Sequence, residues 1–305
     1  MSHILKRGFL IQNRYRILNK IGEGGMGVVY TAEDRLAKTQ EALALKIISS
    51  EKVDPEMIEF FKHEFLLLTE LKHPNLAKVY DFGAYESDYF FTSEFIEGKE
   101  LFEYTEKCPI DLLYDLIVQI ARALDYIHAH GYIHNDIKPS NILVTEKGQV
   151  KLIDFGIVSK ENFVQENSFM GSINFVAPEK VMGKQSDRRS DLYSLGVTLY
   201  YVVTRELPFS GDSTIAVLRK HLAGHAKSPR LTNKNIPKAL EYIIEKLLCK
   251  NVEDRYPSAQ QVNEDINRLA FKNIIPVSKE LRKTYVMGGK FIGRETEMNQ
   301  LKDYL

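Results

Sequence analysis

The residues best suited to chemistry lie in one short stretch, His134-Asn135-Asp136-Ile137-Lys138-Pro139-Ser140-Asn141, followed eighteen residues after Asp136 by Asp154-Phe155-Gly156. Phosphoryl transfer needs a carboxylate to orient an attacking hydroxyl, a cation to offset charge on the phosphate, and oxygen ligands for Mg²⁺. Asp136, Lys138, Asn141 and Asp154 supply all of these, and their close spacing carries most of the information. Upstream, Ile21-Gly22-Glu23-Gly24-Gly25-Met26-Gly27-Val28-Val29-Tyr30 sets glycines between two β-like runs, where backbone amides can approach phosphate oxygens unobstructed by side chains. A plain glycine-rich turn would use the same glycines. A dinucleotide fold is the other reading, but it needs a helix directly after them, whereas Val28 to Tyr30 continues as strand. Leu43-Ala44-Leu45-Lys46 ends an apolar run on a lysine, a residue rarely buried without a partner. Glu64, eighteen residues on, could pair with it and hold it against nucleotide phosphates. Either charge alone would read as solvated surface.

These residues need elements to position them. Short β-like runs fill the first third: Tyr15 to Ile21, Val28 to Asp34, Ala42 to Ile48, Ala77 to Tyr85 and Tyr89 to Phe95. One helix interrupts them, from about Pro55 to Leu71, with Ile58, Phe61, Phe65 and Leu68 at helical spacing and Asp54-Pro55 at its start. Beyond Gly98 helix dominates, at Leu112 to His130, Asp191 to Thr204, Ser213 to Leu222, Pro237 to Leu248 and Ser258 to Phe271. Between the first two of these helices, Gly131 to Lys180 is aperiodic, holds short β-like pieces (Ile142 to Thr145, Val150 to Ile153), and is dense in Asp, Asn, Lys and Gly, as binding loops on a rigid scaffold are. Asn273 to Lys290, with Pro276 and Gly288-Gly289, reads as a linker.

The 41 basic and 41 acidic side chains cancel, and 44% of the 305 residues are hydrophobic, the profile of a mixed globular protein. Zero net charge argues against nucleic acid or an anionic membrane as partner, since such binding rests on clustered Lys and Arg. Cys108 and Cys249 are too few and too far apart for a disulfide framework or a zinc site, which fits a reducing compartment. No run approaches the roughly 18–20 apolar residues of a membrane-spanning helix, so the expected location is the cytoplasm.

The ordered set of motifs resembles the protein kinases, specifically the Ser/Thr kinases of bacterial type that share the eukaryotic catalytic fold, over about Tyr15 to Phe271. Gly171 to Glu179 (closing on Ala177-Pro178-Glu179), Asp191 to Gly196 and Asp254-Arg255 extend the match, and Gly24-Gly25-Met26-Gly27 is especially similar to the bacterial branch. The resemblance implies an α+β bilobal fold: a mainly antiparallel β N-lobe with one helix (about 15–95, after a leader 1–14) and a mostly α-helical C-lobe (about 96–271). It further implies that Asp136 is the catalytic carboxylate, that Lys138 contacts the γ-phosphate of ATP, that Asn141 and Asp154 hold Mg²⁺ (or Mn²⁺), and that Lys46 paired with Glu64 positions ATP. Glu179 should pair with Arg255. The nucleotide would be bound by Ile21, Gly22, Gly24, Gly27, Val29, Ala44, Lys46, Ser93, Glu94, Ile96 and Leu143, with adenine between Val29 and Ala44 on one side and Leu143 on the other, and the backbone at Glu94 and Ile96 reading its edge. Lys138-Pro139-Ser140-Asn141 and Ser172 look like the Ser/Thr form, so protein Ser and Thr hydroxyls are the implied substrates, with autophosphorylation expected. No oligomeric state is implied.

Three features depart from that pattern. Asn135 stands where regulated members carry Arg, so dependence on activation-segment phosphorylation should be weaker, with Lys160 as a partial substitute; the other reading is that Asn135 is simply tolerated. Ser93 falls at the gatekeeper position, where a small residue leaves room unless Phe91 or Phe95 fills it. Phe291 to Leu301 resembles the opening of AAA-like or STAND-type ATPase domains, which suggests a longer multidomain protein; an amphipathic helix is the alternative for 291–305.

Overall fold

A computed structural model describes residues 5–24, 27–37, 41–48, 65, 69–153, 159–160 and 172–270. In β4 (Ala42–Ile48), Leu43, Leu45 and Ile47 are buried while Ala44 and Lys46 between them are half-buried, the two-residue period of extended chain. The first set joins Ile11, Tyr15, Ile17, Val28, Tyr30, Ala32 and Phe90 in one apolar cluster, which leaves the opposite face for a ligand. β4 is central in an antiparallel sheet of order β1-β2-β3-β4-β6-β5, with β1 Leu10–Ile11, β2 Tyr15–Gly24, β3 Gly27–Asp34, β5 Val79–Tyr85 and β6 Asp88–Glu94.

β4 has the bounds read from the sequence, and the other differences have local causes. β2 runs on to Gly24 because Gly22 to Gly24 pair with Val29 to Gly27. A Cβ on Gly27 would lie 1.8 Å from the Ile47 carbonyl oxygen, so only glycine lets this hairpin close on β4. β5 starts at Val79 rather than Ala77 because the Ala77 N–H is donated to the Leu152 carbonyl (2.9 Å). β1 was not predicted: two apolar residues are too short to alternate, yet Leu10 pairs with Arg16 and Ile11 is wholly buried. Of the predicted helix 55–71, Phe65, Thr69, Glu70 and Leu71 are described; the first three are helical, and Leu71, one residue past the last of them, is not. Phe65 is buried against Phe82 (ring centroids 5.5 Å). Glu64 lies outside the described residues.

The second part is helical around α1 (Ile110–Ala129), α2 (Arg188–Thr204), α3 (Thr214–Ala223), α4 (Lys238–Leu247) and α5 (Ala259–Ala270). α2 starts three residues earlier than predicted because the Asp187 carboxylate accepts the Arg189 N–H (2.7 Å) as an N-cap. Every residue from Ser190 to Tyr200 is buried, which makes α2 the axis of this lobe. α1 ends just before Gly131, whose φ of +79° suits glycine. Short strands β7 (Gly98–Glu100), β9 (Ile142–Thr145) and β10 (Val150–Leu152) form a small antiparallel sheet, and β8 (Tyr132–Ile133) pairs with β11 (Ser159–Lys160). The first part is tied to β10 where the Leu152 N–H is donated to Asn75 O (2.8 Å) and Asn75 Nδ2 to Val150 O (2.8 Å). Among the described residues no helix is long and apolar enough to cross a membrane. The predicted linker and the segment 291–305 lie outside the described residues.

Candidate active site

The loop from β8 to β9 carries the chemistry, and α2 fixes its shape. Asp191, on the first turn of α2, is fully enclosed; its carboxylate accepts the backbone N–H of His134 (2.7 Å) and of Asn135 (2.8 Å) and pairs with His128 Nε2 (2.8 Å). Thr198, two turns on, donates its hydroxyl to the Ile137 carbonyl (3.3 Å). Asn135 is held at φ +69°, a left-handed conformation that asparagine tolerates better than most side chains. The burial of Asp191 pushes its carboxyl up, but His128 and the N–H donors outweigh this and hold it below the usual range.

Three predicted residues converge within this frame. The Asp136 carboxylate accepts Asn141 Nδ2 (2.8 Å) and pairs with Lys138 Nζ (2.7 Å). Asn141 Nδ2 also reaches the Asp136 carbonyl (2.9 Å), and the short 3₁₀ turn Pro139–Asn141 makes this possible by folding the chain back on itself. From the other side comes Ser172: its N–H is donated to Asp136 Oδ1 (3.2 Å), and its hydroxyl accepts from Lys138 Nζ (2.8 Å). Burial pushes the Asp136 carboxyl up, but Lys138, with His134 and Asn141, holds it below the ordinary carboxylate value, so it is ionised at neutral pH. Because the Asn141 amide nitrogen faces Asp136, its amide oxygen faces the other way, the donor type a hard divalent cation prefers. The other predicted metal ligand, Asp154, lies outside the described residues.

The sheet register assembles the predicted nucleotide face. Val29 is opposite Lys46, which is opposite Phe91; Thr31 is opposite Ala44, which is opposite Ser93. Val29, Ala44, Lys46, Phe91 and Ser93 therefore share the face away from the apolar cluster, and all five are half-buried, as is Leu143 of β9. The Lys46 ammonium lies 5.8 Å from the Phe91 ring centroid. Phe91 and Ser93, two residues apart on β6, lie on the same face of the sheet. Ile21 is half-exposed at the mouth, Gly22 is half-buried, and Gly24 and Gly27 close the β2–β3 hairpin. Glu94 donates its N–H to Lys78 O (2.8 Å), and Ile96 is buried.

Glu179 and Arg255 meet as predicted. Arg255 donates two parallel bonds of 2.8 Å to the Glu179 carboxylate, and Ser190 Oγ adds a third at 2.6 Å; both side chains are almost wholly buried. Arg255 further caps the carbonyls of Cys249 (2.7 Å), Arg189 (3.1 Å) and Lys250 (3.1 Å). This joins the turn Pro178–Val181 below the loop to the start of α2 and the end of α4.

Two contributors were missed in the sequence. Lys151 is buried in β10, and its ammonium is held by both oxygens of Glu94 at 2.9 Å, tying the end of β6 to the second lobe. The signal was the same one that singled out Lys46, a lone lysine inside an apolar run. Lys180, beside the catalytic loop, gave no such signal.

An antiparallel sheet with one ligand face, set beside an α-helical lobe that presents a carboxylate–lysine–asparagine loop, places the chain in the bilobal kinase fold. The chain belongs to the protein kinase domain family, which matches residues 15–266. It is 38% identical over 269 residues to a probable serine/threonine-protein kinase of Clostridium perfringens (86% of this chain, 39% of that one). It is 34% identical over 270 residues to probable serine/threonine-protein kinase PknB of Lactococcus lactis (86% and 43%). With serine/threonine-protein kinase PrkC of Bacillus subtilis it shares 35% over 266 residues (85% and 41%). The chain thus spans about two fifths of the length of these relatives. The crystal structure of the Mycobacterium tuberculosis PknI kinase domain is similar in fold, with a TM-score of 0.71 at 22% identity, covering 88% of this chain and 99% of that one.

Proposed function

We propose that the chain is a catalytically competent Ser/Thr protein kinase domain, acting in the cytoplasm on protein hydroxyls and on itself. The observation that carries this reading is the arrangement of Asp136, Lys138 and Ser172: an ionised carboxylate and an ammonium 2.7 Å apart, each engaging the same serine residue. Asp136 orients the acceptor hydroxyl and takes its proton as the oxygen attacks the γ-phosphorus, and the ADP oxygen leaves. Lys138 offsets the charge that develops on the γ-phosphoryl oxygens. Asn141 and Asp154 would hold Mg²⁺, or Mn²⁺, which when bound neutralises phosphate charge. Adenine is accommodated between Val29 and Ala44 on one side and Leu143 on the other, with its edge read at Glu94 and Ile96. Lys46, paired with Glu64, orients the α- and β-phosphates.

Lys46→Met tests the nucleotide half of this reading. Hydrogen bonds to charged groups contribute about 1.5–3 kcal/mol, so kcat/KM for ATP should fall roughly 10- to 100-fold. The thermal midpoint without nucleotide should stay close to wild type. Steady-state kinetics with varied ATP would measure this, and an unchanged kcat/KM would remove Lys46 from the ATP site.

A further inference from the structure

The roles given so far leave out Lys180. It follows Glu179 on the turn Pro178–Val181, and its ammonium lies 3.4 Å from the carbonyl oxygen of Asn135, to which it donates. With Asn135, Asp136, Ser172 and Ser194 it lines a cavity of about 10 Å³, room for about one water. The Asn135 carbonyl and the Asp136 N–H belong to one planar peptide. That peptide is held from both ends, its carbonyl by Lys180 and its N–H by His134 Nδ1 (3.4 Å). Displacing it would move Asp136, because the Asp136 Cα is one of its six atoms.

Charge in the neighbourhood points the same way. Asp136, Asp191 and Glu179 all act on Lys180 electrostatically. Lys138 pairs with Asp136 and Arg255 with Glu179, whereas Asp191 is met by His128 and two backbone N–H groups. Lys180 adds a further cation beside this acidic trio, beneath a loop residue, Asn135, whose own side chain is neutral.

We propose that Lys180 is a positioning residue for phosphoryl transfer: its ammonium clamps the Asn135–Asp136 peptide, so that the Asp136 carboxylate keeps the orientation the acceptor hydroxyl needs. This rests on the kinase reading above. Burial pushes the Lys180 ammonium below its ordinary value, while Asp191, Asp136 and Glu179 push it back up without fully restoring it. Among the described residues, Lys138, Arg255, His128 and His134 are further titratable or charged groups around that trio. As pH rises toward the lowered value the ammonium loses its proton, the clamp weakens, and kcat should decline on the alkaline side.

The test uses the full chain, with kcat and KM for ATP measured across pH for wild type, Lys180→Met and Lys180→Arg. Loss of a charged donor should lower kcat of Lys180→Met at neutral pH roughly tenfold or more, with KM for ATP within about twofold. Lys180→Arg should keep kcat within about threefold and move the alkaline decline to higher pH, because arginine stays protonated. The proposal is overturned by a Lys180→Met enzyme with wild-type kcat, by a KM for ATP that changes as much as kcat, or by a Lys180→Arg enzyme no better than Lys180→Met. Should Lys180→Met not fold, Lys180→Arg decides alone: an alkaline decline at the wild-type pH counts against the clamp, a displaced one for it. A wild-type chain that transfers no phosphate would overturn the kinase reading itself, whereas an active wild type with an indifferent Lys180 overturns only the clamp.

Discussion

Replacing Asp136 by Asn is expected to lower kcat by about 10²- to 10⁴-fold, the usual contribution of a positioned general base, while leaving ATP affinity within about twofold. The amide has the shape of the carboxylate, and its single oxygen can keep one of the two bonds from Asn141 and the Ser172 N–H, which reach different oxygens of Asp136, while Asn141 still donates to the Asp136 carbonyl, so the loop should keep its fold. What it loses is the negative charge: it can neither take the proton of an acceptor hydroxyl nor hold Lys138 as an ion pair. Single-turnover transfer with saturating ATP separates the chemical step from binding. A variant that retained wild-type kcat would move the catalytic base elsewhere.

The largest expected effect on stability belongs to Arg255. Arg255→Met should destabilise the domain by about 3–5 kcal/mol, since it strands a buried carboxylate whose partner has gone. At roughly 2–4 °C per kcal/mol for a domain of this size, the thermal midpoint should fall by on the order of 10 °C. The pH dependence gives the sign. In the wild type, burial pushes the Glu179 carboxyl up, but Arg255 and Ser190 outweigh it and hold it low. Its contribution is then fully present above the ordinary carboxylate range and is lost as pH falls through the depressed value. Without Arg255 the burial remains and the carboxyl is raised, so its contribution is present at low pH and is lost as pH rises. The gap between variant and wild type should therefore widen from pH 4 to pH 7, and Glu179→Leu/Arg255→Met should recover part of the loss. Denaturant unfolding at the two pH values measures both; a gap independent of pH would mean that Glu179 is not the stranded charge.

Residues that act through local sequence were legible. Alternation along Leu43 to Ile47 gave β4 and, with it, the face that carries Ala44 and Lys46. The spacing of Asp136, Lys138 and Asn141 gave a cluster that the 3₁₀ turn closes. What was not legible depends on partners far away in the chain. Asp191 holds the loop through backbone N–H groups 56 and 57 residues distant, and a backbone donor leaves no mark on the sequence. Lys151 meets Glu94 across 57 residues, and only its place in an apolar run hinted at a need for one. Strands such as β1 and β8 have two residues each, too few for any period: β1 takes its register from the longer β2, and β8 pairs with β11, another two-residue strand 26 positions further on. Asn135 read as a missing charge; its left-handed backbone is a second reason for asparagine there, which the sequence could not express.

The central claim is phosphoryl transfer to Ser or Thr, and its most direct measurement is the transfer of label from γ-labelled Mg-ATP to the chain itself and to a generic basic protein, followed by phosphoamino-acid analysis. The expected result is phosphoserine and phosphothreonine from the wild type, with Asp136→Asn folded, able to bind ATP and silent. Wild type and Asp136→Asn equally silent while both bind ATP would contradict the account and leave a nucleotide-dependent scaffold in its place.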